Sequence, residues 1–444
     1  MAHAGRRRGL KNALDVLNER GFVEKTTDDA ALRKVLGKPV TCYIGFDPTA
    51  SSLQVGNLVQ IMSLVHMQQL GHRPITLVGG GTGLIGDPSG RTETRQILTR
   101  KAIDSNAESF KVQLSRYLDF SEGRALLLNN ADWLVELNYV DFLRDFGVHF
   151  SVNRMLSYES IKAGLERGLS FIEFNYQCLQ AYDFWYQFKH YGCVLQMGGS
   201  DQWGNIVAGI DLIRRLEGEQ AYGVTSPLIE TADGKKMGKT EKGAIWLDAK
   251  RTSPYEYYQF WINVDDRDVE RFLGLFTFLP MEEVHAIGRS KEAQLNAAKA
   301  ILAFEATRIA HGLDQSIVAW RSASAAFGRR VLDPSVLPSS GLHRIDKEHS
   351  EISFDVRSGE AAIPTTVLKK ESLDNGIPAF ELFQMVGLCR SESEARRLIT
   401  QGGGYINHRR LEHFSENITS DDLVEEVLIL RAGKKKFHRV RVEG

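Results

Sequence analysis

Between Thr41 and Glu230, short runs rich in β-branched and aromatic residues alternate with amphipathic helical patterns, and this alternation restricts the fold more than any other feature. The strand-like runs are Cys42 to Phe46, Ile75 to Val78, Ala125 to Leu128, Val194 to Met197 and Pro227 to Glu230. Helical segments such as Tyr139 to Phe146, Ile172 to Tyr191 and Trp203 to Leu216 lie between them. Strands joined through helices run parallel, so the expected core is an α/β parallel sheet covered by helices. Sheets of this kind bind ligands at the carboxyl ends of their strands.

The chain has 444 residues, too many for one core, so several domains are expected. Residues 1–245 hold the sheet. Residues 246–335 have few strand signals and repeated helical spacing, as in Leu295, Ala298, Ile301, Leu302 and Ala306, which predicts a helical domain. Residues 336–374, with Pro338 and Pro364 and weak periodicity, read as a linker with some strand content. Residues 375–444 read as a small α+β unit, with helices over Phe380 to Val386 and Ser391 to Gln401 and short strands after Gly404. Net charge is -1, so any nucleic-acid surface must be local. Cys42, Cys178, Cys193 and Cys389 are widely separated and lack metal-ligand spacing, which favours reduced thiols in a cytoplasmic protein and argues against structural zinc. No apolar run approaches the roughly 18 residues of a membrane span. Arg6-Arg7-Arg8 is followed by helical spacing rather than a signal-peptide core, and reads as a solvated helix start.

Five segments carry chemistry. In the first, the strand ending at Phe46 is broken by Asp47-Pro48-Thr49, because proline has a fixed φ and no N–H to give. A helical pattern then starts after Gln54-Val-Gly-Asn57, and a helix mouth suits a phosphate. In the second, Gly79 to Gly90 follows a strand and contains GxGxxG. Pro88 and the lack of a helix inside the motif argue against a dinucleotide fingerprint, and a sharp turn carrying Asp87 into a pocket fits better. In the third, Tyr176, Gln180 and Asp183 fall at i, i+4 and i+7 of one helix, so they share a face. That face is either an internal hydrogen-bond network or one wall of a small polar ligand site. Gly198-Gly-Ser-Asp-Gln-Trp-Gly204 ends another strand, where Asp201 could take a ribose diol and Gln202 a carboxylate, or Ser200 and Asp201 could simply cap a helix. The fifth, Lys236-Met-Gly-Lys-Thr240, lies in a polar stretch from Thr231 to Gly243 that reads as an exposed, mobile loop. Its lysines are either solvated or close over a polyphosphate.

Taken in this order, the segments resemble the bacterial tyrosyl-tRNA synthetases, a family of class I aminoacyl-tRNA synthetases, over nearly the whole chain. The matching runs are Gly45-Phe-Asp-Pro-Thr-Ala50, Gly83-Leu-Ile-Gly-Asp-Pro-Ser-Gly90, Leu179-Gln-Ala-Tyr-Asp183, Gly199-Ser-Asp-Gln-Trp-Gly-Asn205 and Lys236-x-Gly-Lys-Thr240. The C-terminal unit resembles an S4-type RNA-binding domain through Arg390, Arg396, Arg397, Gly403 and Asn407. One departure stands out: the family's first signature usually reads His-x-Gly-His, and here it reads Gln54-Val-Gly-Asn57, whose amides donate hydrogen bonds but carry no charge.

The resemblance implies a Rossmann-like catalytic domain, an α-helical tRNA-binding domain and an S4-like tail. It implies ATP-dependent activation of tyrosine and transfer to tRNA(Tyr), with Mg2+ arriving on ATP and no protein-bound metal. By motif position Tyr43 and Asp183 hold the substrate phenol. Asp87, Tyr176 and Gln180 surround its ammonium, and Gln202 lies near the carboxylate. Gly45, Asp47, Gly56, Gly199 and Asp201 meet the nucleotide. Thr49, Gln54, Asn57, Lys236, Lys239 and Thr240 carry catalysis at the phosphates, where Arg91 and Arg95 also bind ATP. Arg396, Arg397, Arg409, Arg410, Lys434 and Lys435 are the RNA-binding cations of the tail. The resemblance also implies a homodimer, with Phe171 at the subunit contact. Two rivals remain: a tryptophanyl enzyme, which needs an indole pocket, and a non-catalytic RNA-binding relative, which would lack the phosphate lysines.

Overall fold

Strand β2 (Thr41–Phe46) occupies the centre of the first sheet, flanked by β3 (Arg73–Val78) and β5 (Cys193–Gly199), both parallel to it. β4 (Leu126–Asn129) and β6 (Tyr222–Ser226) extend the sheet in parallel on either side, and β1 (Lys25–Thr26) closes one edge antiparallel to β6. The resulting order is β1–β6–β5–β2–β3–β4. The chain runs outward from β2 through β3 to β4, then returns to the other side of β2 as β5. The reversal leaves a crevice at the carboxyl ends of β2 and β5, the place where open parallel sheets bind ligands. This computed structural model describes residues 11–87, 99–234, 237–240, 243–289, 292–327, 332–350, 365–407, 409–424, 426–433 and 436–443.

The sequence patterns explain most of these elements. β2 is buried on both faces except at Gly45, as a central parallel strand should be. The helix Phe171–Tyr191 starts at a capping box, with Ser170 Oγ accepting from the Glu173 N–H and Glu173 Oε2 accepting from the Ser170 N–H. It stops at Gly192, which adopts φ +63. It packs on the helix Trp203–Glu217, where Gly209 lets the backbone lie against the Phe184 ring. One expected strand is corrected: residues 227–230 are not a strand, and the last parallel strand is Tyr222–Ser226. Pro227 lacks a ladder donor and so ends the strand instead of starting one.

The chain divides into two compact units, Met1–Ser316 with Val331–Glu348, and Ile317–Arg330 with His349–Gly444. The first unit includes the helices Pro254–Ile262, Val269–Phe276, Met281–Ile287 and Glu292–His311, packed around Trp261, Phe272, Phe276 and Phe304. Arg20 ties the N-terminal segment to this helical part by donating to the carbonyls of Gly274, Thr277 and Leu279. Those carbonyls lie at and just beyond the end of the helix Val269–Phe276, where a guanidinium satisfies acceptors that have no helical partner. In the second unit, a five-stranded sheet carries Arg409–Arg410, Gly404–Ile406, Val427–Ala432, Lys436–Glu443 and Thr365–Lys369, in that spatial order. The helices Ala379–Met385 and Glu392–Thr400 contribute Leu382, Phe383 and Ile399 to its core. Thr365–Lys369 falls within the stretch read as linker, yet it pairs in parallel with Lys436–Glu443 and so belongs to this sheet.

Candidate active site

At the crevice, the carboxyl ends of β2, β3 and β4 are tied together by polar side chains. Asp47, just past β2, accepts from Thr82 Oγ1 at 2.9 Å and from the Tyr176 hydroxyl at 3.3 Å. Gly79 is required there, because a Cβ would occupy the space in which Asp47 and Thr82 meet. Asn130, just past β4, accepts from the Gly81 N–H at 2.8 Å, and its Nδ2 donates to Thr82 Oγ1 and to Asp183 Oδ2 at 2.8 Å. Trp133 Nε1 donates to the other oxygen of Asp183 at 2.7 Å. Asp183 is buried, and burial pushes its carboxyl up to about 7, against the pull of its bonds to Asn130 and Trp133.

Tyr43 lies in the same layer, packed against Phe184 and only 1% exposed. Its hydroxyl is buried and has no hydrogen-bond partner among the described residues. Burial raises the phenol well above its ordinary pKa, and the nearby Asp183 charge adds to the shift. An orphaned buried hydroxyl costs stability unless something polar fills the site. Tyr43 and Asp183 therefore bracket a place for a donor–acceptor group such as a phenol.

A second network lies between Asp87 and Asn205. Gln202 Nε2 donates to Asp87 Oδ2 at 2.8 Å, and Asn205 Nδ2 donates to Gln180 Oε1 at 2.9 Å and to Gln202 Oε1 at 3.1 Å. Ser200–Gln202 form a short 3-10 turn without a side-chain cap, so capping does not explain Asp201. A Cβ on Gly199 would meet Asp201 Oδ1 at 2.6 Å, so the carboxylate folds over a glycine backbone.

The third part is the signature turn. Asn57 Oδ1 accepts from the Gln54 N–H at 3.0 Å, and the helix Leu58–Gln69 follows directly. Thr49, Gly45 and Gly56 are exposed nearby in sequence. The lysine segment is anchored to this turn. Val55 N–H donates to the Ile245 carbonyl at 3.0 Å, Leu247 N–H to the Leu53 carbonyl at 2.9 Å, and Ile245 N–H to the Gly238 carbonyl at 2.9 Å. Gly238, at φ +79, lies so near Gly56 that a Cβ would sit 3.3 Å from the Gly56 nitrogen. Met237 is buried, so the stretch expected to be exposed throughout has a seated centre. Its apolar side chain, enclosed by polar neighbours in sequence, marks the anchor.

Arg91, Arg95, Lys236, Lys434 and Lys435 lie outside the described residues, as do the side chains of Lys239 and Thr240. Sequence reasoning missed Thr82, Asn130, Trp133 and Asn205. The adjacent Asn129-Asn130 at the carboxyl end of a parallel strand was the available signal.

A family model described as tRNA synthetases class I (W and Y) matches residues 35–328, and one described as the tyrosine--tRNA ligase SYY-like C-terminal domain matches residues 355–440. The chain is 56% identical to the tyrosine--tRNA ligase of Syntrophus aciditrophicus (strain SB), covering 98% of this chain and 100% of that one. It is 57% identical to the tyrosine--tRNA ligase of Desulfatibacillum aliphaticivorans, covering 97% and 98%. A C-terminally truncated mitochondrial tyrosyl-tRNA synthetase from Aspergillus nidulans superposes with a TM-score of 0.64 at 32% identity, over 71% of this chain and 94% of that one. The crevice, its polar layer and these likenesses agree: the chain belongs to the class I tRNA synthetase (W and Y) family, on its tyrosine--tRNA ligase branch.

Proposed function

We infer that the chain is a tyrosine--tRNA ligase in which the layer of Tyr43 and Asp183 selects the amino acid. The carrying observation is the buried Tyr43 hydroxyl without a partner beside the buried Asp183 carboxylate. A substrate phenol would accept from Tyr43 and donate to Asp183, satisfying groups that an indole would leave unmatched. Asp87, Tyr176, Gln180 and Gln202 form the polar end that takes the ammonium and carboxylate. Gly45, Asp47, Gly56, Gly199 and Asp201 take the nucleotide.

In the first step the tyrosine carboxylate oxygen attacks the α-phosphorus of ATP, supplied as its Mg2+ complex. A P–O bond forms, the bond to pyrophosphate breaks, and the electron pair leaves with pyrophosphate. No protein nucleophile is needed, so the chain's work is positioning and charge stabilisation. Thr49, Gln54, Asn57, Arg91, Arg95, Lys236, Lys239 and Thr240 do this at the phosphates. In the second step a ribose hydroxyl at the 3′ end of tRNA(Tyr) attacks the tyrosyl carbonyl and releases AMP. The helical domain and the tail hold the tRNA. Purified protein should exchange labelled pyrophosphate into ATP with tyrosine and without tRNA. Better exchange with tryptophan would overturn the assignment.

The working state is a homodimer in the cytoplasm, where its four free, buried cysteines stay reduced. Val135, Tyr139, Val140, Leu143, Val148, Val152, Phe171 and Ile172 are large apolar side chains left exposed within one stretch of the chain, with Phe171 69% and Val140 70% exposed. Concentrated exposed apolar surface calls for a covering partner, and a second copy is the one the family resemblance supplies. Phe171→Asp should shift the sedimenting species from dimer to monomer. A dimer that persists would remove Phe171 from the contact.

A further inference from the structure

We propose that Arg251 is a catalytic residue of tyrosine activation, the fixed cation that meets the departing pyrophosphate beside Gln54. The proposal rests on the activation reaction described above and assigns within it the charge that the signature amides cannot carry.

The placement follows from the short ladder between the signature turn and the segment after the lysine motif. Gln54 and Trp246 are directly opposed in an antiparallel bridge. Directly opposed residues project to the same side of such a pair. Leu53, Val55 and Leu247, their neighbours on the two strands, are buried on the other side. Gln54 and Trp246 are both partly exposed, so their side chains stand together at the outer face of the turn.

Arg251 is held on that face. Its guanidinium carbon lies 3.4 Å from the centroid of the Trp246 ring, and its Nη1 donates to Ser51 Oγ at 3.3 Å. Ser51 lies between Thr49 and Gln54. The turn bearing Arg251 is itself fixed: the Arg251 and Thr252 N–H groups both donate to the Asp248 carbonyl at 3.0 Å, the Asp248 N–H donates to Ser52 Oγ at 3.1 Å, and the Trp246 N–H donates to Thr252 Oγ1 at 3.0 Å. Arg251 forms no ion pair among the described residues. It therefore presents a preoriented cation with N–H donors left over, next to the residue that lacks one.

As the α-phosphorus passes to the tyrosine carboxylate, negative charge grows on pyrophosphate, and a fixed guanidinium stabilises that charge without moving a proton. Arg251 is exposed, and solvent screening reduces its effect. Arg251→Ala should therefore lower kcat of tyrosine-dependent pyrophosphate exchange about tenfold. Tyrosine affinity, measured by calorimetry, and the melting temperature should stay unchanged. Arg251→Lys should keep most of the rate. Gln54→His should restore most of the loss in Arg251→Ala, because it returns a cation to the same face. An unchanged kcat in Arg251→Ala, a rise confined to the KM for ATP, or failure of Gln54→His to rescue would each overturn the proposal. Loss confined to aminoacylation would also overturn it, because Arg251 would then serve tRNA. Absence of tyrosine-dependent exchange in the unaltered protein would instead sink the activation reading itself.

Discussion

Asp183→Ala should lower tyrosine-dependent pyrophosphate exchange by roughly 10³-fold, the effect of removing a buried acceptor from a site built around a hydroxyl. Asp183 is buried and accepts from both Asn130 and Trp133. Its removal therefore also strands those two donors, and melting curves are needed to separate binding from folding. Tyr43→Phe is the cleaner variant, because the Tyr43 hydroxyl has no partner among the described residues to lose. It should narrow the preference for tyrosine over phenylalanine while leaving stability equal or higher. Tyrosyl enzymes are themselves the standard case of such rejection, about 10⁵-fold without editing, and that figure belongs to the family rather than to these distances. An unchanged tyrosine/phenylalanine ratio in Tyr43→Phe would remove Tyr43 from the phenol site. Asp183 also gives a pH readout. Its carboxyl is raised from 3.8 to about 7, so the folded chain holds this proton more tightly than the unfolded one. The stability it contributes is complete below 3.8 and is lost as pH rises through about 7. Between pH 5 and 8, the melting temperature without tyrosine should fall relative to that of Asp183→Asn.

The parallel sheet was legible because β2, β3 and β5 are buried runs with strong strand propensity, separated by long periodic helices. The helix Phe171–Tyr191 was legible to within one residue, since a capping box and a glycine bound it. Tyr222–Ser226 was harder, because Gly223 interrupts the run with little strand propensity and the apolar residues after Pro227 look more strand-like. Thr365–Lys369 was hidden for a different reason. It is an edge strand with alternating exposure, and only its parallel pairing with Lys436–Glu443, distant in sequence, gives it a structural place. At the site, the face shared by Tyr176, Gln180 and Asp183 follows from helix spacing alone. Asn130 and Trp133 do not, because they lie just past β4 and meet Asp183 from 53 and 50 residues away in the chain, and no local spacing encodes that approach. The joining of Gln54 to Trp246 was out of reach for the same reason.

Ending the chain at residue 350 should preserve tyrosine-dependent pyrophosphate exchange and weaken aminoacylation of tRNA(Tyr) by about two orders of magnitude, through loss of several phosphate contacts. A cut near Leu373 is the wrong place. It would leave Thr365–Lys369 without Lys436–Glu443, exposing an unpaired strand edge that invites aggregation. Within the tail, the cations are not equivalent. Arg409 pairs with Glu416 and, at 3.4 Å, with Asp422, so its charge is largely compensated internally. Arg396 lies 4.0 Å from the Phe380 ring centroid and pairs with Glu392 at 3.2 Å, a surface ion pair that a phosphate could displace at small cost. Arg397 and Arg410 are exposed and form no ion pair among the described residues, which makes them the stronger candidates for phosphate contacts. Arg397→Ala with Arg410→Ala should therefore weaken tRNA binding and flatten the slope of log affinity against log salt by about 1.5, the loss of two phosphate contacts. Arg409→Ala should instead lower the tail's stability with less change in that slope, since it leaves Glu416 and Asp422 without their cation. Exchange and aminoacylation measured on one preparation separate loss of the tail from misfolding of the catalytic unit, which lowers both, and melting curves separate a destabilised tail from lost contacts. If the shortened chain charges tRNA(Tyr) as well as the full chain, the tail is not an RNA-binding module. If Arg409→Ala flattens the salt slope as much as the double variant, internal pairing does not decide which cations meet the RNA.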